Sequence, residues 1–437
     1  MRQLFNFAPT YMPLNHGSFG TYPTAVLEYR QQLLRDWEAR ECIYAKWTYP
    51  KLLKESRALI APLLGVDTDE IVLVPNATTG INTVLRNLVF EAGDVVLFPS
   101  TTYSANLKTI QSLEETTPVR GHQMSIVYPV EDDQVVELFR TNIEALVKDG
   151  KRVRVAIFDT ISSRPGVRVP WERLVSLCRQ LGVLSMVDAA HAVGHIDMTH
   201  TRVVKPDFLV SNCYKWLYVP RGCVVLYVPF ANQHFIKTSL PTSNGYLDPK
   251  ARKAMSSREY FVNLFAEVST SDTTPFITIP AALQFRNNVC GGEAAIREYC
   301  YRLAFDGGNR VAEMLGTEVL ENTQRTLRPR CMFANIRLPV TIVPAERGVQ
   351  HPNDNAIITE DEVERVLAFI YTKLATELDT SLMVFAIAQS IWTRFSAQIY
   401  LEMSDFEWGA RMLLNLCERI RAGEWKEEED RVLDALA

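Results

Sequence analysis

Short apolar segments alternate with amphipathic ones between residues 70 and 230. Six nearly continuous apolar segments predict strands, at 70–75, 94–99, 152–161, 183–190, 207–213 and 223–228. Between them, segments 79–89, 104–115 and 170–182 predict amphipathic helices. Strands that are apolar on both faces, separated by helices, are typical of α/β proteins. We therefore predict a mostly parallel sheet covered by helices.

The pattern changes beyond this region. Residues 277–316 predict helices, and segments 331–340 and 392–401 predict strands that alternate with helices at 359–377 and from about 404. The run LNHGSFGTYP near the start is rich in turn-forming residues. We predict three parts: an N-terminal arm (1–25), a large cofactor-binding domain (26–285) and a small C-terminal α+β domain (286–437).

Composition narrows the possible partners and location. The 437 residues carry a net charge of −5 and contain no long basic stretch, so we expect neither a nucleic-acid partner nor a membrane surface. No apolar run is long enough to span a bilayer, and the start does not resemble a signal peptide. Eight scattered cysteines without a CxxC pair favour reduced thiols, and we expect a cytoplasmic protein.

Two charged residues follow consecutive strands of the predicted sheet. Asp188 ends segment 183–190, and Lys215 follows segment 207–213 within the run SNCYKWLYVPRGC. Because ligands of open α/β sheets collect at the carboxyl ends of strands, we expect both side chains to face one pocket. Each has an ordinary alternative: Asp188 as a turn cap and Lys215 as a lysine reaching solvent from a buried stem. Together they are the carboxylate and amine that pyridoxal 5'-phosphate (PLP) needs.

A phosphate-binding loop is also predicted. In the run VPNATTGIN a strand ends and a helix begins, with small and hydroxyl residues at Ala77 and Thr78. A helix N-terminus offers free N–H groups and the positive end of the dipole, although ordinary N-capping explains the same residues. Tyr103 follows the next strand, where an aromatic ring either stacks on a flat ligand or packs half-buried.

Other catalytic motifs are not indicated. The stretch HAVGH, from His191 to His195, lacks the glutamate of HExxH, and we expect no metal. The run HGSFG is not GxSxG, so a nucleophile elbow is not expected. Neither GxGxxG nor GxxxxGK[ST] occurs, which argues against dinucleotide and P-loop readings.

Seven stretches together resemble the class V aminotransferase superfamily of PLP enzymes, fold type I. They are LNHGSFGTYP, VPNATTGINTVLRN, FDTISSRPGVRVPWE, VDAAHAVGHI, SNCYKWLYVPRGC, TSDTTPFITIPAAL and RFSAQIYLEMSDFEW. The similarity is to the isopenicillin N epimerase-like branch, which includes fungal hercynylcysteine sulfoxide lyases and loline-pathway enzymes. The resemblance implies a seven-stranded, mostly parallel sheet, a smaller C-terminal domain and PLP as the cofactor.

The resemblance also implies roles for individual residues. Lys215 resembles the lysine that bonds to PLP, Asp188 the partner of the ring nitrogen, and Arg394 the arginine that binds the substrate α-carboxylate. The other implied cofactor contacts are Ala77, Thr78, Asn212 and Tyr214 at the phosphate, Tyr103 stacked on the ring, and Asp159, Ser163 and His191 on the phenolic-oxygen side. Thr270 resembles a residue that reaches the phosphate of a neighbouring subunit, which implies a homodimer with shared sites.

The implied reaction stays broad. A PLP enzyme of this branch acts on an α-amino acid through a carbanion at Cα, by elimination, replacement, cyclisation or epimerisation, and we expect a role in specialised-metabolite biosynthesis. The alternative is C–S cleavage of a cysteine sulfoxide conjugate, as in ergothioneine synthesis. Aminotransferase activity is the third hypothesis. A binding or regulatory module that keeps the PLP fold is the fourth, and the complete set of cofactor positions argues against it.

Overall fold

A seven-stranded sheet forms the centre of the larger part of the molecule. The computed structural model describes residues 1–344 and 356–426. The strands are β1 (Ile71–Val74), β2 (Asp94–Pro99), β3 (Arg120–Met124), β4 (Arg152–Asp159), β5 (Leu184–Asp188), β6 (Phe208–Asn212) and β7 (Val224–Tyr227). Their order is β1-β7-β6-β5-β4-β2-β3, and only β7 runs antiparallel to its neighbours. The predicted mostly parallel sheet is therefore confirmed.

Helices cover both faces of this sheet because successive strand residues point to opposite sides. Ile157 of β4 packs into one apolar cluster, whereas Phe158 packs into the other. The longer helices of this part are Thr24–Ala39, Tyr49–Leu64, Ala77–Asn87, Ser104–Thr116, Asp132–Lys148, Trp171–Gln180, Ser257–Leu264 and Ile279–Asn288. Among the described residues, no helix combines the length and apolar character that crossing a bilayer requires.

A second, four-stranded sheet lies in the C-terminal part. Its strands are β8 (Phe333–Val343), β9 (Ala356–Thr359), β10 (Met383–Ile387) and β11 (Ser390–Ser396), in the order β10-β11-β8-β9. The accompanying helices are Gly292–Leu315, Val363–Thr376 and Met403–Arg421. The strand predicted to run to 401 ends at Ser396, and the chain then turns toward the last helix. The exact domain boundaries at 25 and 285 remain predictions.

The N-terminal segment packs between the two parts of the molecule. Its backbone pairs with the C-terminal part, where the N–H of Met12 donates to the carbonyl of Asp379 (3.0 Å) and the N–H of Ser396 donates to Leu14 (2.9 Å). Gly17 lies so close to the large domain and β8 that a Cβ atom there would come within 2.4 Å of the Phe333 ring. The segment thus reaches the edge of the central sheet at which Lys215 lies.

Candidate active site

Two aspartates end neighbouring strands at the carboxyl edge of the sheet. Parallel pairing of β4 and β5 sets Asp159 directly beside Asp188, and both are buried. Asp188 accepts hydrogen bonds from the side-chain amide of Asn106 (2.8 Å) and the N–H of Ala190 (3.0 Å). Burial raises the pKa of Asp188, although these two donors and the Lys215 charge oppose the rise.

Asp159 has a different electrostatic environment from its neighbour. Burial and the charge of Asp188 raise the pKa of Asp159 well above its ordinary value. Two adjacent buried carboxyls do not both ionise readily, and Asp188 has the hydrogen bonds that favour its charged form. The surroundings of Asp188 therefore favour its charged form more than those of Asp159, whose surroundings favour the protonated form.

Lys215 lies on the short helix Cys213–Trp216 that directly follows β6. Burial lowers the pKa of Lys215 to about 8, against the opposing pull of Asp188. The Lys215 amine, Nζ, lies 3.2 Å from Nε2 of His191. A lysine with this pKa is partly neutral at physiological pH, and the neutral amine is the nucleophilic form.

The second hydrogen-bond partner of His191 indicates which ring nitrogen carries the proton. The indole N–H of Trp216 donates to Nδ1 of His191 at 3.3 Å, and an indole nitrogen acts only as a donor. A neutral His191 therefore carries its proton on Nε2, which donates toward the Lys215 amine. Burial and the charge of Lys215 lower the pKa of His191 well below its usual value, so the ring stays neutral.

The turn that follows β5 and carries His191 is held against the short helix that carries Lys215. Arg286 is fully buried and donates to the carbonyls of Trp216 (2.7 Å) and Gly194 (3.3 Å), while its charge pairs with Glu293 (2.8 Å). Gly194 has a positive φ of 82°, and a Cβ atom there would lie 2.6 Å from the Trp216 backbone. Lys215 and His191 are thus held in a defined relative position.

The start of helix Ala77–Asn87 forms a site for an anion. Asn76 caps the helix by accepting the N–H of Thr79 (2.7 Å), and its carbonyl accepts the N–H of Gly80 (3.1 Å). The first N–H groups of a helix have no partner within it, so those of Ala77 and Thr78 point outward. Gly80 packs tightly on β6, where a Cβ atom would lie 2.6 Å from the Val210 side chain.

Further groups surround this helix start. Asn212 at the end of β6 is buried, and its side-chain oxygen has no hydrogen-bond partner within residues 1–344 and 356–426. Burial, followed by the nearby Tyr103, raises the pKa of Tyr214 to about 12, which keeps its hydroxyl protonated as a donor. Tyr103 itself is 48% exposed. It precedes the helix that carries Asn106, and its ring is free to cover a flat ligand.

Arg394 on β11 reaches the site from the C-terminal part. It is fully buried and donates to the carbonyl of Ser163 (2.6 Å) and to the side chains of Asn15 and Ser18 (both 3.2 Å). Its guanidinium lies 4.1 Å from the ring centre of Phe333. Burial lowers the pKa of Arg394 to about 10, so it remains charged at neutral pH.

No carboxylate pairs with Arg394 among the residues that the structure describes, and its Nε has no acceptor there. A buried charge without a counter-ion is costly. The site therefore favours an anion that arrives from outside the chain. A substrate carboxylate has the planar geometry that suits a guanidinium.

The structure brings most predicted site residues to one edge of the sheet. The converging residues are Ala77, Thr78, Tyr103, Asp159, Asp188, His191, Asn212, Tyr214, Lys215 and, on the C-terminal side, Ser163 and Arg394. Thr270 is exposed and has no hydrogen bond to this group in the described part of the chain. Sequence reasoning missed the contacts of Asn106, Trp216, Asn15 and Ser18. The one available signal was the position of Asn106, one helical turn after Tyr103.

This set of residues fits the cofactor predicted from the sequence. An amine of lowered pKa, a buried charged carboxylate and outward-pointing N–H groups match the carbonyl, ring nitrogen and phosphate of PLP respectively. The orphaned oxygen of Asn212 marks a buried position at which a polar ligand group is missing its protein partner.

The chain is similar in sequence and structure to several known proteins. The family model described as aminotransferase class-V matches residues 20–333. The L-cysteine desulfhydrase-like protein lolT1 of Epichloe uncinata is 37% identical over 436 residues, or 96% of each chain. The hercynylcysteine sulfoxide lyase of Schizosaccharomyces pombe is 31% identical, over 95% of this chain and 97% of the lyase. A solved structure of a C-DES mutant with glycine covalently linked to its PLP cofactor superposes with a TM-score of 0.73 at 16% identity, over 95% of this chain and 99% of that one.

Proposed function

Because this chain belongs to the class V aminotransferase family of PLP-dependent enzymes, we propose that it binds PLP at Lys215 and acts on a cysteine-type α-amino acid. The predicted family and the PLP fold type I architecture are confirmed. The observation that carries the proposal is a partly neutral Lys215 near Asp188, together with a buried Arg394 that has no counter-ion among residues 1–344 and 356–426.

The residues assigned to the cofactor follow from their chemistry. The Lys215 amine would hold the cofactor at its carbonyl, and Asp188 would stabilise the proton of the ring nitrogen. The N–H groups of Ala77 and Thr78 bind the phosphate, together with Asn212 and Tyr214. Tyr103 covers one face of the ring, and Asp159, Ser163 and His191 belong to the side of the phenolic oxygen.

The chain's own residues direct the reaction. When bound, PLP supplies an electron sink for a bond that breaks at Cα of the substrate. Arg394 binds the substrate α-carboxylate, and its contacts to Asn15, Ser18 and Ser163 fix its orientation. The Lys215 amine, whose lowered pKa leaves it partly neutral, would act as the general base for the Cα proton. His191 is neutral and does not compete for that proton.

Elimination or replacement on the side chain of a cysteine-type substrate is the reaction that we favour. Support comes from the desulfhydrase-like relative, whose alignment spans nearly the whole chain. C–S cleavage of a cysteine sulfoxide conjugate is the second candidate, and the sulfoxide lyase relative supports it over a similar span. Transamination and epimerisation rank behind both.

Product analysis of the PLP-loaded protein tests this proposal. We expect a visible absorption band that borohydride removes and that Lys215→Ala abolishes. Pyruvate released from S-substituted cysteines supports elimination, and release only from their sulfoxides supports the second candidate. Formation of pyridoxamine phosphate with a keto acid indicates transamination, and deuterium at Cα without net product indicates epimerisation. A wild-type protein that never takes up PLP contradicts the whole proposal.

We also propose that the active unit is a homodimer in which Thr270 contacts the partner's phosphate site. Support comes from the exposure of Thr270 and from its lack of contact with its own chain's site within the described residues. Light scattering should report a dimer. Thr270→Val should weaken PLP retention, and a monomeric, fully active protein contradicts the proposal. The cytoplasmic location and the role in specialised metabolism remain predictions.

A further inference from the structure

A large cavity opens between the two sheets on the side of the site that contains Arg394. Its volume is about 1080 Å³, and its walls come from the arm, the large domain, helix Val363–Thr376 and strand β10. Pockets for drug-sized ligands span roughly 300–1,000 Å³, so this space is far larger than the side chain of cysteine requires.

The cavity adjoins Arg394 on several sides. Met383, on its wall, is the cross-strand neighbour of Arg394, and the side chains of such a pair point to the same face. Phe19 and Arg164, also on the wall, directly follow Ser18 and Ser163, which are two of the three residues that accept hydrogen bonds from Arg394. A substrate held at Arg394 by its α-carboxylate therefore has this cavity beside it.

Most residues on the wall have apolar side chains, and polar groups make up much of the remaining surface. Phe19 is 72% exposed, which is unusual for an aromatic ring unless something covers it. The hydroxyl of Tyr371 is already occupied, because it donates to the carbonyl of Val384 (2.9 Å) and accepts the N–H of that residue (3.1 Å). Tyr371 thus presents only its ring to a ligand. These surfaces suit a bulky apolar group.

Two charged residues also line the cavity, Arg164 and Glu364. Both are exposed, and neither has an ion-pair partner in the part of the chain that the structure describes. Arg164 follows Ser163 immediately and lies close enough to Arg394 to act on it electrostatically. Arg164 is the cation of this pair, and an anionic substituent of the substrate would be its partner.

We propose that this cavity binds the substrate side chain, and that the substrate is an α-amino acid with a bulky, mostly apolar substituent that carries an anionic group contacting Arg164. This inference rests on the proposed function and deepens it. It excludes free cysteine as the preferred substrate, because cysteine leaves the cavity empty and Arg164 unpaired.

A ligand series on the PLP-loaded Lys215→Ala protein tests the inference by binding alone, followed by absorption changes. The ligands are L-cysteine, S-methyl-L-cysteine, S-benzyl-L-cysteine and S-(4-carboxybenzyl)-L-cysteine. We expect the dissociation constant to fall about tenfold or more from methyl to benzyl, through apolar burial, and about tenfold again with the carboxylate. Thermal shifts of the wild-type holoenzyme with the same ligands give a second readout.

Two variants separate the two parts of the cavity. Arg164→Gln should remove the increase in affinity that the carboxylate provides and leave the increase from the benzyl group intact. Ala386→Trp, at an exposed wall position on β10, should fill the space and remove the benzyl gain. Arg411→Gln is the matched control, because Arg411 is an exposed arginine outside the cavity wall and should change neither gain.

The outcomes distinguish this inference from the function on which it rests. Failure of the wild-type protein to take up PLP overturns both. Uptake of PLP with equal or tighter binding of cysteine overturns the inference alone and leaves the proposed function in place. Equal effects of Arg164→Gln and Arg411→Gln overturn the role of Arg164.

Discussion

Replacing Asn106 by leucine tests how the charge of Asp188 is maintained. The Asn106 amide provides one of the two hydrogen bonds that Asp188 accepts (2.8 Å), and the N–H of Ala190 provides the other (3.0 Å). Burial already raises the pKa of Asp188, and both donors oppose that rise. Leucine has a similar volume and no donor, so the variant should raise the Asp188 pKa further.

The size of this effect follows from the bond that is lost. A hydrogen bond to a charged group contributes about 1.5–3 kcal/mol. Because the folded pKa of Asp188 is raised, the native state binds more protons than the unfolded chain, and stability falls as pH rises above the ordinary aspartate pKa. Asn106→Leu should therefore lower the unfolding free energy little in acid, where Asp188 is protonated in both the folded and the unfolded protein. The full cost should appear once the pH exceeds the folded pKa.

Urea unfolding of the cofactor-free protein across pH measures this cost. We expect the difference in unfolding free energy between wild type and Asn106→Leu to grow toward neutral pH. Asn87→Leu is the matched control: the Asn87 amide donates to the carbonyls of Thr83 (2.7 Å) and Thr238 (2.8 Å) and accepts backbone N–H groups, so its effect should not depend on pH in this way. A difference for Asn106→Leu that stays constant with pH would refute the reasoning.

Three further predictions concern the surroundings of the lysine. The rate at which cofactor-free protein captures PLP should rise with pH and level off above about 8, because burial lowers the Lys215 pKa to about 8; stopped-flow absorbance measures this rate, and an inflection near the ordinary lysine pKa of 10.5 contradicts the prediction. Trp216→Phe removes the donor that keeps the proton of neutral His191 on Nε2. The ring should then be a mixture of the two tautomers, which nitrogen NMR detects. Gly17→Ala should lower the unfolding free energy by about 1–3 kcal/mol in urea titrations, because its Cβ would press on Phe333, and an unchanged value contradicts that packing.

The sequence was most informative where local pattern and burial coincide. Strands such as β4 and β5 are apolar on both faces, and this made the positions of Asp188 and Lys215 at strand ends predictable. Strand β3, with the sequence RGHQM, was missed because it lies at the sheet edge and has mostly polar, accessible residues. An edge strand needs no apolar alternation on its open side, so periodicity cannot detect it.

Contacts between distant parts of the chain were harder to predict. Asn15 and Ser18 bond to Arg394 across 379 and 376 residues, respectively, and no local periodicity encodes a contact at such separation. The arm was predicted to be rich in turns, yet its role in orienting a buried guanidinium depends on how the two sheets pack together. The donor on Trp216 that locates the His191 proton is likewise a consequence of tertiary structure.

The charges of the site explain why it suits a ligand with several charged groups. Burial favours the protonated form of Asp159, His191 is neutral and Lys215 is partly neutral, so Asp188, whose hydrogen bonds favour its charged form, and the positive Arg394 are the main buried charges of the site. These two do not pair with each other within the described residues, where Asp188 accepts hydrogen bonds from Asn106 and Ala190, and Arg394 donates to neutral acceptors. In the proposed function, a protonated ring nitrogen would neutralise Asp188, and a substrate carboxylate would neutralise Arg394. The phosphate meets neutral N–H donors, which require no buried counter-charge. The protein thus leaves unpaired the two charges that cofactor and substrate complete, and this is the physical basis for binding them in adjacent positions.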